Sequence, residues 1–318
     1  MKKWLVSLLA LCLMLTLCFS AVAEPLANVA ALKGPTAMGL VKMMSDDSES
    51  WNFTISAAPD EITPLLIKGE LDIAAVPANL ASVLYNKTEG KIKVLAINTL
   101  GVLYIVENGN SVQSIEDLRG KTIYSAGKGA TPEYALNYVL SANGIDPTTD
   151  VTIEYKTEHT ECLTALLNNE GAVAMLPQPF VTTAKSKAPD IRVALDLNDV
   201  WADLQEGNEH QSALLTGVVV ARTEFVENNP EAVAAFMDAY AASVTFANEN
   251  VDETAVLIGA FDIVPEAVAK QALPFCRIVY IDGDEMQDKL SGYLQVLFDQ
   301  DPAAVGGVLP DEAFYYKR

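Results

Sequence analysis

Five short loops carry the side chains best suited to hold a small polar molecule. They are Gly34-Pro35-Thr36-Ala37, Pro77-Ala78-Asn79, Thr99-Leu100-Gly101, Gly127-Lys128-Gly129-Ala130-Thr131 and Pro177-Gln178-Pro179. Each follows a short apolar run, and all but the third open a helical pattern. A loop that leads into a helix exposes unpaired backbone N–H groups and the positive end of the helix dipole. Hydroxyls and amides from Thr36, Asn79, Thr131 and Gln178 add side-chain partners. Such a pocket can hold a carboxylate, sulfonate or phosphate without a buried counter-charge.

The residues differ in what else they can do. Thr36 and Thr131 fit a helix N-cap as well as a ligand contact. Lys128 either lines the pocket or faces solvent. Asn79 and Gln178 are the stronger pair, because each follows a strand-ending proline at an equivalent place in its own half of the chain. Phe180 and Tyr104 can clamp a flat ligand or fill a core. The candidate ligand-binding set is Thr36, Asn79, Gly101, Lys128, Thr131, Gln178 and Phe180, with no catalytic residue, no metal ligand and no cofactor.

Catalytic patterns are weak by comparison. The chain has two histidines, His159 and His210, and neither stands at metal-ligand spacing from a second His or a Cys. Both read as helix or loop surface residues. No Gly-x-Ser-x-Gly elbow occurs, and Gly127-Lys128-Gly129 lacks the remainder of a nucleotide-binding P-loop.

The elements that must position the loops alternate in a regular way. Strand candidates at residues 29–32, 51–57, 71–76 and 91–98 are separated by helical stretches at 37–44, 59–68 and 77–85. The pattern then restarts: a helical turn at 114–118, strands at 121–125, 151–155, 172–176 and 191–195, and helices at 132–143, 159–168 and 177–187. Alternation of this kind predicts parallel sheets covered by helices on both faces. Two apolar extended runs, 102–107 and 213–221, have no helix between them and the neighbouring strand and bracket the second unit. They read as the outbound and return crossings between two lobes. Beyond them the chain is mainly helical (230–248, 252–261, 265–272 and 284–298), with a strand at 277–281. The predicted fold is α/β: two Rossmann-like lobes joined by two crossover strands, with a helical C-terminal segment. The predicted division is 24–106 with 215–318 for lobe 1 and 107–214 for lobe 2.

The N-terminus sets the compartment. Lys2 and Lys3 precede an apolar run from Trp4 to Phe19, and Ala21-Val22-Ala23 offers small residues at the positions a signal peptidase reads. A run of this length is short for a bilayer span. Residues 1–23 are therefore predicted to be a signal peptide cleaved after Ala23. Lipidation at Cys18 is the weaker alternative, because Leu17 rather than a small residue precedes it. The protein is thus expected to be exported, to the periplasm or cell surface. Cleavage leaves 19 basic against 42 acidic side chains, a net charge of −23. Such a surface repels nucleic acid and anionic lipid. Any anionic ligand must then be held by local dipoles. Cys162 and Cys276 remain after cleavage, and as a single distant pair they read as two buried free thiols.

Four segments together resemble the type II periplasmic binding proteins of ABC importers, in the branch with sulfonate-, nitrate- and thiamine-precursor-binding members. These are Ile67-Lys68-Gly69-Glu70-Leu71-Asp72-Ile73-Ala74, Ile115-Glu116-Asp117-Leu118-Arg119-Gly120-Lys121-Thr122-Ile123, residues 163–175 followed by Pro177-Gln178-Pro179, and residues 225–236 with Asn229-Pro230-Glu231 inside. The resemblance implies a monomeric binding protein that closes on a small anionic or heterocyclic solute, delivers it to a membrane permease and is not an enzyme. An exported enzyme on the same fold and a ligand-sensing receptor subunit are the alternatives.

Overall fold

The computed structural model describes residues 25–207 and 212–318. The predicted signal peptide with its expected cleavage site, Cys18 and His210 lie outside the described residues.

The first unit runs β1 (Ala27–Leu32), α1 (Pro35–Met38), α2 (Val41–Asp46), β2 (Trp51–Ser56), α3 (Pro59–Lys68), β3 (Ile73–Pro77), α4 (Ala78–Lys87) and β4 (Ile92–Leu100). Local chemistry fixes these boundaries. In α3, Pro59 stands in the first turn with Asp60 and Glu61, and Gly69 ends the helix in the left-handed region at φ 81°. The helix expected over 37–44 divides in two at Gly39. There the Gly39 carbonyl accepts from Ser243 Oγ at 2.7 Å, and Ile278, Tyr240 and Val244 press against its α-carbon.

The second unit runs β5 (Leu103–Glu107), β6 (Thr122–Ser125), α5 (Thr131–Ala142), β7 (Thr152–Tyr155), α6 (His159–Asn168), β8 (Val173–Pro177), α7 (Phe180–Lys187), β9 (Arg192–Asp196) and α8 (Leu197–Asp203). Helix α8 has no counterpart in the sequence reading. Its fully buried Trp201 donates its indole N–H to Ser212 Oγ at 2.9 Å. The chain continues through β10 (Leu215–Arg222), α9 (Thr223–Asn228), α10 (Pro230–Glu249), α11 (Val251–Ala260), α12 (Glu266–Ala272), β11 (Ile278–Ile281) and α13 (Gly283–Gln300).

The first sheet has the order β11-β4-β10-β3-β1-β2 and the second β7-β6-β8-β5-β9. Neither is purely parallel, which corrects the expectation from the alternating pattern. β10 is antiparallel to both β3 and β4, and β5 is antiparallel to both β8 and β9. The two apolar runs that link the lobes also serve as central strands. Each is buried along nearly all its length, as a strand covered on both faces must be. The expected division at residue 106 falls inside β5, whose partners all lie in the second sheet. Apart from β11, the two sheets share one topology, with the inserted antiparallel strand between the third and fourth strands of its unit.

The crossings pass very close to each other. A Cβ on Gly101 would lie 2.5 Å from Leu214 Cγ, so the outbound chain needs glycine where it meets the return chain. Cys162 and Cys276 are free and buried, and burial pushes their thiols up to about 11 and about 12. Among the described residues, no helix is long and apolar enough to cross a membrane.

Candidate functional site

Strand ends of β3 and β8 meet at the junction of the two sheets with the starts of the helices that follow β3, β6 and β7. A cavity of about 300 Å³ opens at this junction. Its walls take Asn79 from the first turn of α4, Thr131 from the first turn of α5 and His159 from the first turn of α6. Gly101, Val102 and Leu103 of the outbound crossing and Leu214, Leu215 and Thr216 of the return form one side. Pro77 and Pro177 add strand-end prolines from both lobes, and among the described residues no Asp, Glu, Lys or Arg lines the cavity.

The polar groups meet across the lobes. Thr131 Oγ1 lies 3.0 Å from the buried Tyr293 hydroxyl of α13 and donates to Asn79 Oδ1 at 3.5 Å. Asn79 Nδ2 reaches the Ala304 carbonyl only at 3.4 Å, leaving the amide weakly held. His159 Nδ1 is buried with no hydrogen-bond partner among the described residues, and its ring centroid stands 5.3 Å from that of Phe180. Burial lowers the His159 pKa, so the imidazole is neutral at neutral pH and can either accept or donate a hydrogen bond. The α5 loop is partly self-satisfied, since Gly129 N–H donates to Glu133 Oε2 at 2.6 Å. Helix α4 has no acidic residue in its first turn, so no carboxylate on that turn screens its positive end.

The sequence-derived set separates into two groups. Asn79, Gly101 and Thr131 line this cavity, whereas Thr36, Lys128, Gln178 and Phe180 lie outside its lining. Thr36 is buried and donates to the Leu32 carbonyl at 2.9 Å, packing its methyl over Gly217. Neither threonine is an N-cap, since Gly34 and Ala130 occupy those positions. Lys128 is exposed, with Nζ 5.5 Å from the Tyr155 ring. Gln178 turns back on its own helix, where Oε1 accepts from Thr182 Oγ1 at 2.9 Å. It borders a second interlobe cavity of about 480 Å³ with Tyr104, Asp196 and Phe275. Phe180 reaches the site only through its contact with His159. His159 is the residue that sequence reasoning missed. The available signal was its place at the start of a helix after a strand, the same rule that selects Thr131.

Two other features are structural. A concavity of about 700 Å³ around Lys68, Lys91 and Arg222 lies at the far end of the first lobe, away from the junction. Glu107 is fully buried at the far end of β5. Burial alone would raise its carboxyl, but donors from Ser111, the Val112 N–H and Arg192 hold it below the usual carboxylate value.

Known proteins share this fold. The chain is similar to an ABC transporter structure from Parabacteroides distasonis, with 27% identity over 92% of this chain and 99% of that one, at a TM-score of 0.77. The periplasmic aliphatic sulphonate-binding protein SsuA of Escherichia coli shares the fold at 13% identity, 92% coverage of each chain and a TM-score of 0.70. The periplasmic nitrate-binding protein NrtA of Synechocystis PCC 6803 does so at 14% identity, over 83% of this chain and 75% of that one, with a TM-score of 0.56. No curated protein matches the sequence. The family model described as "ABC transporter, phosphonate, periplasmic substrate-binding protein" matches residues 50–253, more than half of the chain. With the two-lobed fold and the interlobe cavity, that match makes this chain a member of the ABC transporter periplasmic substrate-binding family, the solute-binding component of an importer.

Proposed function

We propose that the chain captures a small anionic solute of the phosphonate, sulfonate or nitrate type in the cavity around Asn79, Thr131 and His159, and that the lobes close on it. One observation carries this reading: the first turns of three helices, drawn from both lobes, meet at a cavity that, among the described residues, is lined by no charged side chain. Helix dipoles and neutral donors then do what a counter-charge would otherwise do, in a protein whose overall charge repels anions. About 300 Å³ is the lower end of ligand pockets, which favours a solute of few atoms. Ligand contacts from both lobes stabilise the closed state, and the permease reads that state.

In this reading lobe 1 comprises the chain up to Leu100 and from Leu215 onward, and lobe 2 runs from Leu103 to Asp203, following sheet membership. The mature protein begins at Glu24, is a monomer and binds without turnover. Isothermal titration with methylphosphonate, ethanesulfonate and nitrate tests the ligand class, and native mass spectrometry of the purified protein identifies what it carries. Saturable binding to at least one of these anions, with the ligand unchanged by NMR, is the expected result. Binding confined to cations, or conversion of the ligand, overturns the reading.

A further inference from the structure

Beside the outbound crossing, away from the cavity lining, one arginine spans the lobes. Arg277 directly precedes β11 in lobe 1, and its carbonyl accepts from Leu100 N–H at 3.2 Å at the end of β4. Its Nη2 donates to Asp196 Oδ2 at 2.6 Å and to Asp199 Oδ1 at 2.8 Å, both in lobe 2. Asp196 ends β9 and caps α8 through the Asn198 N–H at 3.0 Å. Next to this pair, Tyr104 of β5 donates its hydroxyl to the Phe275 carbonyl at 2.9 Å, a second tie between the lobes. Arg277 holds a left-handed backbone at φ 48°, uncommon for a residue with a side chain. Its side chain is 27% exposed and that of Asp196 is 20% exposed. The pair is thus less screened than a surface ion pair, which contributes little.

We infer that Arg277 is a positioning residue for solute capture: a latch that biases the lobes toward the closed state by pairing with Asp196 and Asp199. The inference rests on the closing mechanism proposed above, but none of the latch atoms lines the ligand cavity. A closed state that exists only part of the time weakens the observed affinity by that fraction. The latch therefore raises affinity for every solute alike, without touching any of them.

The test compares mature wild type with Arg277→Gln, Arg277→Lys and Asp199→Asn. Small-angle X-ray scattering of the ligand-free proteins reads lobe separation, and titration with methylphosphonate, ethanesulfonate and nitrate reads affinity. Arg277→Gln is expected to expand the ligand-free protein and to weaken each anion that binds about tenfold, by the same factor. Arg277→Lys, which retains the charge but reaches one carboxylate, recovers most of both. Asp199→Asn removes the negative charge of the more exposed partner alone and gives a smaller shift, so the latch stays testable if Arg277→Gln misfolds. Unchanged scattering in Arg277→Gln and Asp199→Asn, or an affinity loss confined to one anion, overturns the latch. A wild type that binds none of the three anions overturns the ligand reading instead, and the ligand-free scattering still decides the latch.

Discussion

The two lobes build the same strand order and place matching loops at their facing ends, yet matching residues have different fates. Asn79 and Gln178 both follow the proline that ends the third strand of their unit. Asn79 lines the interlobe cavity, whereas Gln178 folds back to accept from Thr182. Thr36 and Thr131 both lead a helix after the first strand of their unit. Thr131 bridges toward Asn79 and Tyr293, whereas Thr36 is buried against Leu32 and Gly217. Shared topology delivers a residue to the junction, and the side chain's nearest unsatisfied neighbour then decides where it points. A buried hydroxyl or amide takes the closest partner it can find, because leaving one unpaired costs roughly 1–3 kcal/mol.

The largest expected effect breaks the packing that fixes Thr36. A Cβ at Gly217 would collide with the Thr36 methyl and Asn98 Oδ1, so Gly217→Ala should destabilise the protein by about 1–3 kcal/mol. Urea unfolding monitored by circular dichroism measures it, and a neutral result would mean that Thr36 is free to turn.

The threonine pair comes next. Thr131→Val removes a hydroxyl at the cavity and is expected to weaken anion binding about tenfold, near 1.4 kcal/mol. Thr36→Val should leave affinity unchanged while lowering the unfolding midpoint. Equal affinity losses in a titration calorimeter would place both threonines at the ligand.

The amide pair gives a smaller contrast. Asn79→Ala is expected to reduce affinity several-fold, while Gln178→Ala changes it less than about twofold, the scale of a weak neutral hydrogen bond. A dominant effect from Gln178 would move the site to the neighbouring cavity beside Asp196 and Phe275.

The pH dependence is the smallest effect. Burial depresses the His159 pKa below its unfolded value near 6.5. Between those two values the unfolded chain binds the extra proton, so stability from this residue is full above about pH 6.5 and falls as pH drops through the folded pKa. Thermal midpoints of ligand-free wild type and His159→Asn should therefore converge or cross as pH falls from 7.5 to 5. Parallel curves would mean that the imidazole is solvated.

Much of the fold was legible in the residues. Pro59 with Asp60, Glu61 and Gly69 marked α3 at both ends, and β-branched runs marked the strands, because caps and local periodicity act over a few residues. Helix α8 was hidden because its boundaries depend on Trp201 entering the core, a long-range event. Of the cavity lining, Asn79, Gly101 and Thr131 were legible from their place after strand ends. His159 was read as a surface residue because nothing local says that Phe180 and the crossings will bury one of its nitrogens.

By itself the sequence determined the alternation of strands and helices, the two lobes, the pair of crossings and the helix N-termini that make an anion site possible. All follow from hydrophobic period, turn residues and charge, which are local or compositional. Tertiary structure alone decided that the crossings become central antiparallel strands and that Gly101 must yield space to Leu214. It also decided that Asn79 rather than Gln178 faces the cavity, and that Arg277 finds two carboxylates across the junction. Those outcomes depend on contacts between residues far apart in the chain, where the competing partners exist only once both lobes have formed.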